Sequence, residues 1–186
     1  LDLYIGIYKQ CRKKWLKMFK KKIIDNCISK KNQNLLIHHI IDNKFFPWYL
    51  NKDITFKSGK QKRPSLGHVF ISDKKQNSTI AGFISSIFSP VLNKNIIKGR
   101  IIFQLPLNTK TISYDTPHTD MDKPHNVYLY YVIDSDGETI LFKKKKIYKK
   151  IQPKQGRLLI FDGSLVHTAS QPKKNIRCVI NFNVEK

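Results

Sequence analysis

The chain has 186 residues, 40% of them hydrophobic, enough for one domain with a sizeable core. No apolar run approaches the roughly 20 residues that a membrane-spanning helix needs, which excludes such a span. The formal charge of +22 invites nucleic acid or another polyanion as a partner, yet only five of the 35 basic residues are arginine (Arg12, Arg63, Arg100, Arg157, Arg177), and a lysine, asparagine and isoleucine excess is what an AT-rich genome encodes, so nucleic acid is not the favoured reading.

Cys11, Cys27 and Cys178 are scattered and show no C-x-x-C spacing. This argues against a disulfide framework or structural zinc site, and for a reducing, cytoplasmic compartment, the host's if the source is viral. Leu1–Ile7 is apolar but follows no basic region and leads to no small-residue cleavage site, so a signal peptide is not expected. Residues 1–30 read as a basic amphipathic segment. Trp15, Leu16, Phe19, Ile23 and Ile24 fall at roughly helical spacing among lysines. A helix packed on the domain or a disordered tail is expected there, with residues 31–186 forming the domain.

Leu35–Ile41 is a short apolar run that reads as a strand, and Phe45–Leu50 reads as a turn of helix capped by Asp42 or Asn43. His38 and His39 would face opposite sides of that strand and are structural in this reading, as is His68. Residues 51–76 are polar, with Ser58–Pro64 marking a loop. The clearest helix spans Ser78–Leu92, where Ile80, Phe83, Ile84, Ile87, Phe88 and Val91 make one apolar stripe. Asn77 or Ser78 can cap it, and Pro90 breaks its last turn. Its stripe faces the core.

From Lys98 onward helical periodicity gives way to short β-prone runs. These are Arg100–Leu107, Thr111–Tyr114, Val127–Ile133, Thr139–Phe142, Ile147–Ile151, Arg157–Phe161, Val166–Ala169 and Ile176–Val184. Turn signals such as Asp134-Ser135-Asp136-Gly137 and Asp162-Gly163 separate many of them. Such a series of short strands indicates a sandwich or jelly roll. The fold class is mainly β with flanking helices.

Within this region the stretch from Tyr114 to Asp122 carries His118 and Asp120 two residues apart, so in an extended chain both side chains point the same way. An imidazole and a carboxylate on one face suit a first-row divalent metal such as iron(II). Downstream, the run Gly156–Phe161 leads through Asp162-Gly163 to His167, and Arg177 follows ten residues later. His-x-Asp, a distal His, then a basic residue about ten further on resembles the iron(II)/2-oxoglutarate-dependent oxygenases, most of all their prolyl-4-hydroxylase-like branch. Residues 98–186 carry the resemblance, which is weaker over 35–97.

The resemblance implies a double-stranded β-helix of jelly-roll, cupin-like type, with His118, Asp120 and His167 as iron ligands. It also implies that Arg177 binds the distal carboxylate of 2-oxoglutarate, a task its planar fork suits. A tyrosine on the strand after His-x-Asp assists in the family. Tyr131 occupies the matching place, and a one-residue slip would put Tyr130 inside instead. Arg177 would share a strand face with Val179, Asn181 and Asn183. His125 reads as a loop residue. Asp115 and Asp122 read as solvated loop carboxylates, with a hydrogen bond orienting His118 as the alternative.

The implied reaction hydroxylates a C–H bond while 2-oxoglutarate and O2 yield succinate and CO2, with ascorbate as a candidate for keeping iron reduced. Asp120 stands where halogenating members carry a small residue, which favours hydroxylation. A peptidyl (prolyl-type) residue and a free small molecule both remain open as substrates. The nucleic-acid demethylase branch has Asn two residues past its first Arg and a second Arg six past it; this chain has Val179 and Asn183 there, which counts against that branch. From other classes, a cupin-like metal-binding module without turnover and an inactive jelly-roll interaction module are the alternatives.

Overall fold

The computed structural model describes residues 22–52, 63–92, 94–107 and 114–186. Residues 1–21 of the basic segment lie outside these, as does the run expected at Thr111–Tyr114 apart from Tyr114 itself, a bend. The described elements begin with β1 (Lys22–Ile24), α1 (Lys30–Ile40), β2 (Tyr49–Asn51), β3 (Ser65–Ser72), β4 (Lys75–Gln76), α2 (Ile80–Phe88) and β5 (Ile96–Gln104). They continue with β6 (His125–Tyr131), β7 (Thr139–Lys143), β8 (Lys146–Ile151), β9 (Leu158–Asp162), β10 (His167–Ala169) and β11 (Arg177–Glu185).

A large antiparallel sheet has the order β1-β9-β6-β11-β5-β3-β2, with β4 hairpinned on β3, and a small sheet has the order β10-β7-β8. After β5 the chain winds between the two: β6 in the large sheet, β7 and β8 in the small, β9 in the large, β10 in the small, β11 in the large. This is the jelly-roll winding expected of a double-stranded β-helix.

Two cores follow from the strand pleat, which sends successive side chains to opposite faces. One lies on the outer face of the large sheet, where Cys178, Ile180, Phe182 and Val184 of β11 and Tyr130 of β6 meet Leu36 and Ile40 of α1 and Ile84 and Phe88 of α2. The other lies between the sheets, where Val127, Leu129 and Tyr131 of β6 meet Leu141, Leu159, Phe161 and Val179. β6 and β11 thus pack on both faces, and the polar Arg177, Asn181 and Asn183 of β11 lie on the face between the sheets.

The segment before α1 belongs to the sheet at least in part. Lys22–Ile24 pairs with β9, Cys27 N–H donates to Gly156 O, and the Arg157 guanidinium grips Asp25 at 2.6 and 3.0 Å.

Two sequence expectations fail between residues 30 and 50. Leu35–Ile41 is the second half of α1, because Gln33, Leu36, Ile37, Ile40 and Ile41 continue a helical stripe that starts before the apolar run, and Ser29 caps it through Asn32 N–H (3.2 Å). Phe45–Leu50 is no helical turn: Asn43 Oδ1 accepts from Phe45 N–H in a tight turn, and the chain passes through Pro47 into β2. The loop expected at Ser58–Pro64 lies outside the described residues as far as 62, and β3, an unexpected strand whose alternation is diluted by Gly67 and His68, follows it; both His68 ring nitrogens are engaged, with Pro47 O and Ser78 Oγ. α2 is two residues shorter at its start and four at its end than expected. Among the described residues no helix is long and apolar enough to cross a membrane.

The cap gives a first prediction. Ser29→Ala leaves Asn32 N–H without its acceptor and is expected to lower stability by about 1 kcal/mol, read by chemical denaturation.

Candidate metal centre

The His-x-Asp segment is drawn to β10 by backbone rather than side chains. His118 N–H donates to His167 O and His167 N–H to His118 O, each at 2.9 Å, an isolated antiparallel bridge. Earlier in the segment Asp115 N–H donates to Ala169 O (2.8 Å) and Thr168 Oγ1 to Asp115 O (2.7 Å). This register brings the two imidazoles to a centroid separation of 4.9 Å.

Both rings have their tautomer set locally. His118 Nδ1 lies 3.0 Å from Thr116 O, and His167 Nδ1 3.0 Å from Leu165 O. A carbonyl only accepts, so each Nδ1 donates and each Nε2 presents a lone pair. Both Nε2 atoms stand 3.7 Å from Asp120 Oδ1. The candidate ligand atoms of His118, Asp120 and His167 all lie within 4.8 Å of one another. Three lone-pair donors facing each other across that distance call for a cation, and two imidazoles with one carboxylate suit a first-row divalent metal.

Asp120 is fixed on all sides. Its Oδ2 accepts from Asn181 Nδ2 (3.0 Å) and Asn183 Nδ2 (2.8 Å), and its Oδ1 from Arg100 Nη2. Burial alone would push its pKa up, but the Arg100 guanidinium beside it more than reverses this and holds it well below the usual carboxylate range.

Arg100, His118, Asp120, His167, Thr139 and Arg177 line one cavity. Arg177 is 3% exposed and donates to three neutral acceptors, Gly137 O (2.9 Å), Gln104 Oε1 (2.8 Å) and Thr139 Oγ1 (2.9 Å). A guanidinium has five N–H donors, so two remain. Its burial lowers its pKa, against the pull of Tyr131 and Asp115, and no carboxylate pairs with it directly among the described residues. Gly137 is glycine for a reason: a Cβ there would sit 2.9 Å from Arg177 Cδ and 3.0 Å from Ser170 O.

Tyr131 faces the inter-sheet core and Tyr130 the helix side, so the inward residue is Tyr131. Tyr131 does not line the cavity; its hydroxyl donates to Thr139 Oγ1 at 2.7 Å. With Arg177 also donating to that oxygen, the Thr139 hydroxyl has its lone pairs filled and its own proton left to give. Burial pushes the Tyr131 phenol up to about 12, so it stays a donor.

Asp115 is not a solvated loop carboxylate. It is 3% exposed and accepts from Arg63 (3.1 Å) and Gln104 (3.2 Å), because its backbone is tied down on β10. It makes no bond to His118. Asp122 is exposed. His125 is no loop residue: it opens β6, 1% exposed, with its ring against Gly163. Sequence reading missed Arg100, Gln104 and Thr139. The signal for the first two was parity: Arg100, Ile102 and Gln104 share one face of β5, and polar residues recurring inward on a buried strand mark a site.

No family model and no curated protein matches the sequence. Solved structures do. An oxidoreductase of the 2OG-Fe(II) oxygenase family from Burkholderia pseudomallei superposes with a TM-score of 0.67 at 10% identity, over 88% of this chain and 84% of that one. A Trichoplax adhaerens prolyl hydroxylase, solved with a hypoxia inducible factor oxygen degradation domain peptide fragment, gives 0.63 at 16% identity, over 89% and 83%. The viral collagen prolyl hydroxylase of Paramecium Bursaria Chlorella virus-1, in its 2OG complex, gives 0.55 at 17% identity, over 88% and 94%.

The fold is that of the 2OG-Fe(II) oxygenases.

Within this 2OG-Fe(II) oxygenase fold Thr139 is the residue on which Tyr131 and Arg177 converge. Thr139→Val keeps its shape and removes the oxygen that joins Tyr131 to Arg177. It leaves the Tyr131 hydroxyl and one Arg177 N–H without their acceptor and is expected to lower stability by about 1–3 kcal/mol, read by chemical denaturation.

Proposed function

We propose that this chain is an iron(II)- and 2-oxoglutarate-dependent dioxygenase that hydroxylates a C–H bond of a peptidyl, prolyl-type residue. 2-Oxoglutarate, O2 and the substrate C–H become succinate, CO2 and the alcohol; one oxygen atom of O2 enters succinate and the other the product. The observation that carries the reading is that the His118–Asp120–His167 triad and the unpaired, buried Arg177 open into one cavity. A metal-binding module without turnover has no use for the second feature. The prolyl hydroxylases among the structural neighbours favour a peptidyl substrate over a free small molecule.

His118 and His167 would hold the metal through Nε2 and Asp120 through Oδ1, the oxygen facing both rings. Bound there, iron(II) supplies the redox chemistry that couples decarboxylation of the 2-oxo acid to C–H oxidation. Arg177 receives the distal carboxylate on its two remaining N–H groups, and the Thr139 hydroxyl adds a third donor. Val127, Leu129 and Val179 wall the cavity and exclude water between the two ends, which strengthens the ionic contact.

The test is succinate formation from 2-oxoglutarate in air with iron(II) and ascorbate, without a prime substrate. Iron-dependent succinate supports the proposal. Iron bound with no succinate, even across a peptide panel, favours the cupin-like metal-binding module, and no iron bound removes the basis of the reading.

A further inference from the structure

A second, larger cavity of about 530 Å3 adjoins the metal centre, and Arg100 and Ile102 wall both. It follows β3 from Ser65 to Val69, about 13 Å at the usual strand rise, the length of four extended residues. Tyr49 and Val69, 64% and 36% exposed, form an apolar lip. Among the described residues no aspartate or glutamate lines it.

Two of its polar groups lack hydrogen-bond partners among the described residues. Arg100 gives Nη2 to Asp120, but its Nε–H is buried and finds no acceptor among the described residues. Lys98, two residues away on the same face of β5, is half-buried and pairs with no carboxylate among the described residues. At the opposite end the Ser65 side chain, on a residue 4% exposed, has no partner for its Oγ. A buried donor without an acceptor is costly enough that each one in a native fold calls for an explanation. The unmatched set is explained by an acceptor-rich, anionic guest at the Lys98 end. Arg100 is paired directly with Asp120, which leaves Lys98 as the cleft's cation with no direct carboxylate partner among the described residues. A polynucleotide would need cations repeated along its backbone, and among the described residues Lys98 is the one lysine lining the cleft.

We infer that this cleft takes an acidic peptide, in which an aspartate or glutamate near the hydroxylated residue docks on Lys98, beside Arg100. The inference rests on the oxygenase reading of the neighbouring centre and adds a substrate class to it.

The probes are end-blocked alanine–proline tetrapeptides with one aspartate stepped through the four positions, and the same set with asparagine. Binding is measured calorimetrically under anaerobic conditions to the full chain with iron(II) and 2-oxoglutarate, and to the chain alone. At least one aspartate peptide is expected to bind fivefold or more tighter than its asparagine twin. Lys98→Gln should erase that difference and Lys98→Arg retain it. Asn77→Asp, which adds a negative charge to the cleft lining, should reduce it. Equal binding of the two sets, no binding of any aspartate peptide, or a preference that survives Lys98→Gln overturns the inference. So does a dinucleotide that binds more tightly than every tetrapeptide, which would point to nucleic acid. Peptide-free succinate release by the same wild-type preparation reports on the oxygenase reading separately. It can fail while the aspartate preference stands, and the preference can fail while succinate still forms.

Discussion

Arg177→Ala is expected to raise the 2-oxoglutarate concentration needed for half-maximal succinate formation by about 30-fold to several thousandfold. Truncating one partner of a buried, hydrogen-bonded charge pair costs about 2–5 kcal/mol, and each 1.4 kcal/mol is a factor of ten. Iron retention should stay at the wild-type level, because Arg177 makes no contact with His118, Asp120 or His167 and reaches only Gly137, Gln104 and Thr139. Arg177→Lys restores the charge but not the fork, so it should recover part of the loss. A titration of 2-oxoglutarate with metal analysis on the same samples separates the two effects. Unchanged co-substrate demand in the alanine variant would show that the buried cation serves the fold alone.

His118→Ala is expected to weaken iron binding by at least about a hundredfold and to reduce succinate formation to background. Loss of a residue that merely orients a metal ligand already costs ten- to a hundredfold, so removing the ligand itself costs no less. The variant should nonetheless fold. The bridge that seats this segment uses the backbone N–H and C=O of residue 118, which alanine keeps. Circular dichroism and melting close to wild type, with iron lost on gel filtration, is the expected pair of results. Full iron retention in a folded variant would place the metal elsewhere.

Much of this site was legible because its chemistry lies in local spacing. His118 and Asp120 needed only an extended segment to share a side, and the alternation along Ile176–Val184 was enough to place Arg177 with Asn181 and Asn183. The strand pleat likewise separated Tyr131 from Tyr130. The illegible parts depend on contacts between distant strands. Nothing in the neighbourhood of Asp115 announces that Arg63 and Gln104 will close over it. Arg100 meets Asp120 only because β5 lies beside β11, a pairing of residues some eighty apart in sequence. α1 was missed for a more local reason. The apolar run Leu35–Ile41 was weighed without Ser29 and Gln33, which carry its start and cap, and seven apolar residues cut from their context fit a strand as well as a helix.

The backbone bridge between His118 and His167 has a further implication. In small zinc modules the ligands are scattered until metal gathers them, so binding free energy is folding free energy. Here hydrogen bonds assemble the ligands and hold both ring tautomers, while two large apolar clusters support the sheets independently. The apoprotein should be a folded protein, and metal should add stability only by mass action, about 2.7 kcal/mol at a hundredfold excess over Kd. Chelation would then be a reversible off-switch. Such a chain can be synthesised and stored in iron-poor conditions and become active when the metal arrives, without refolding.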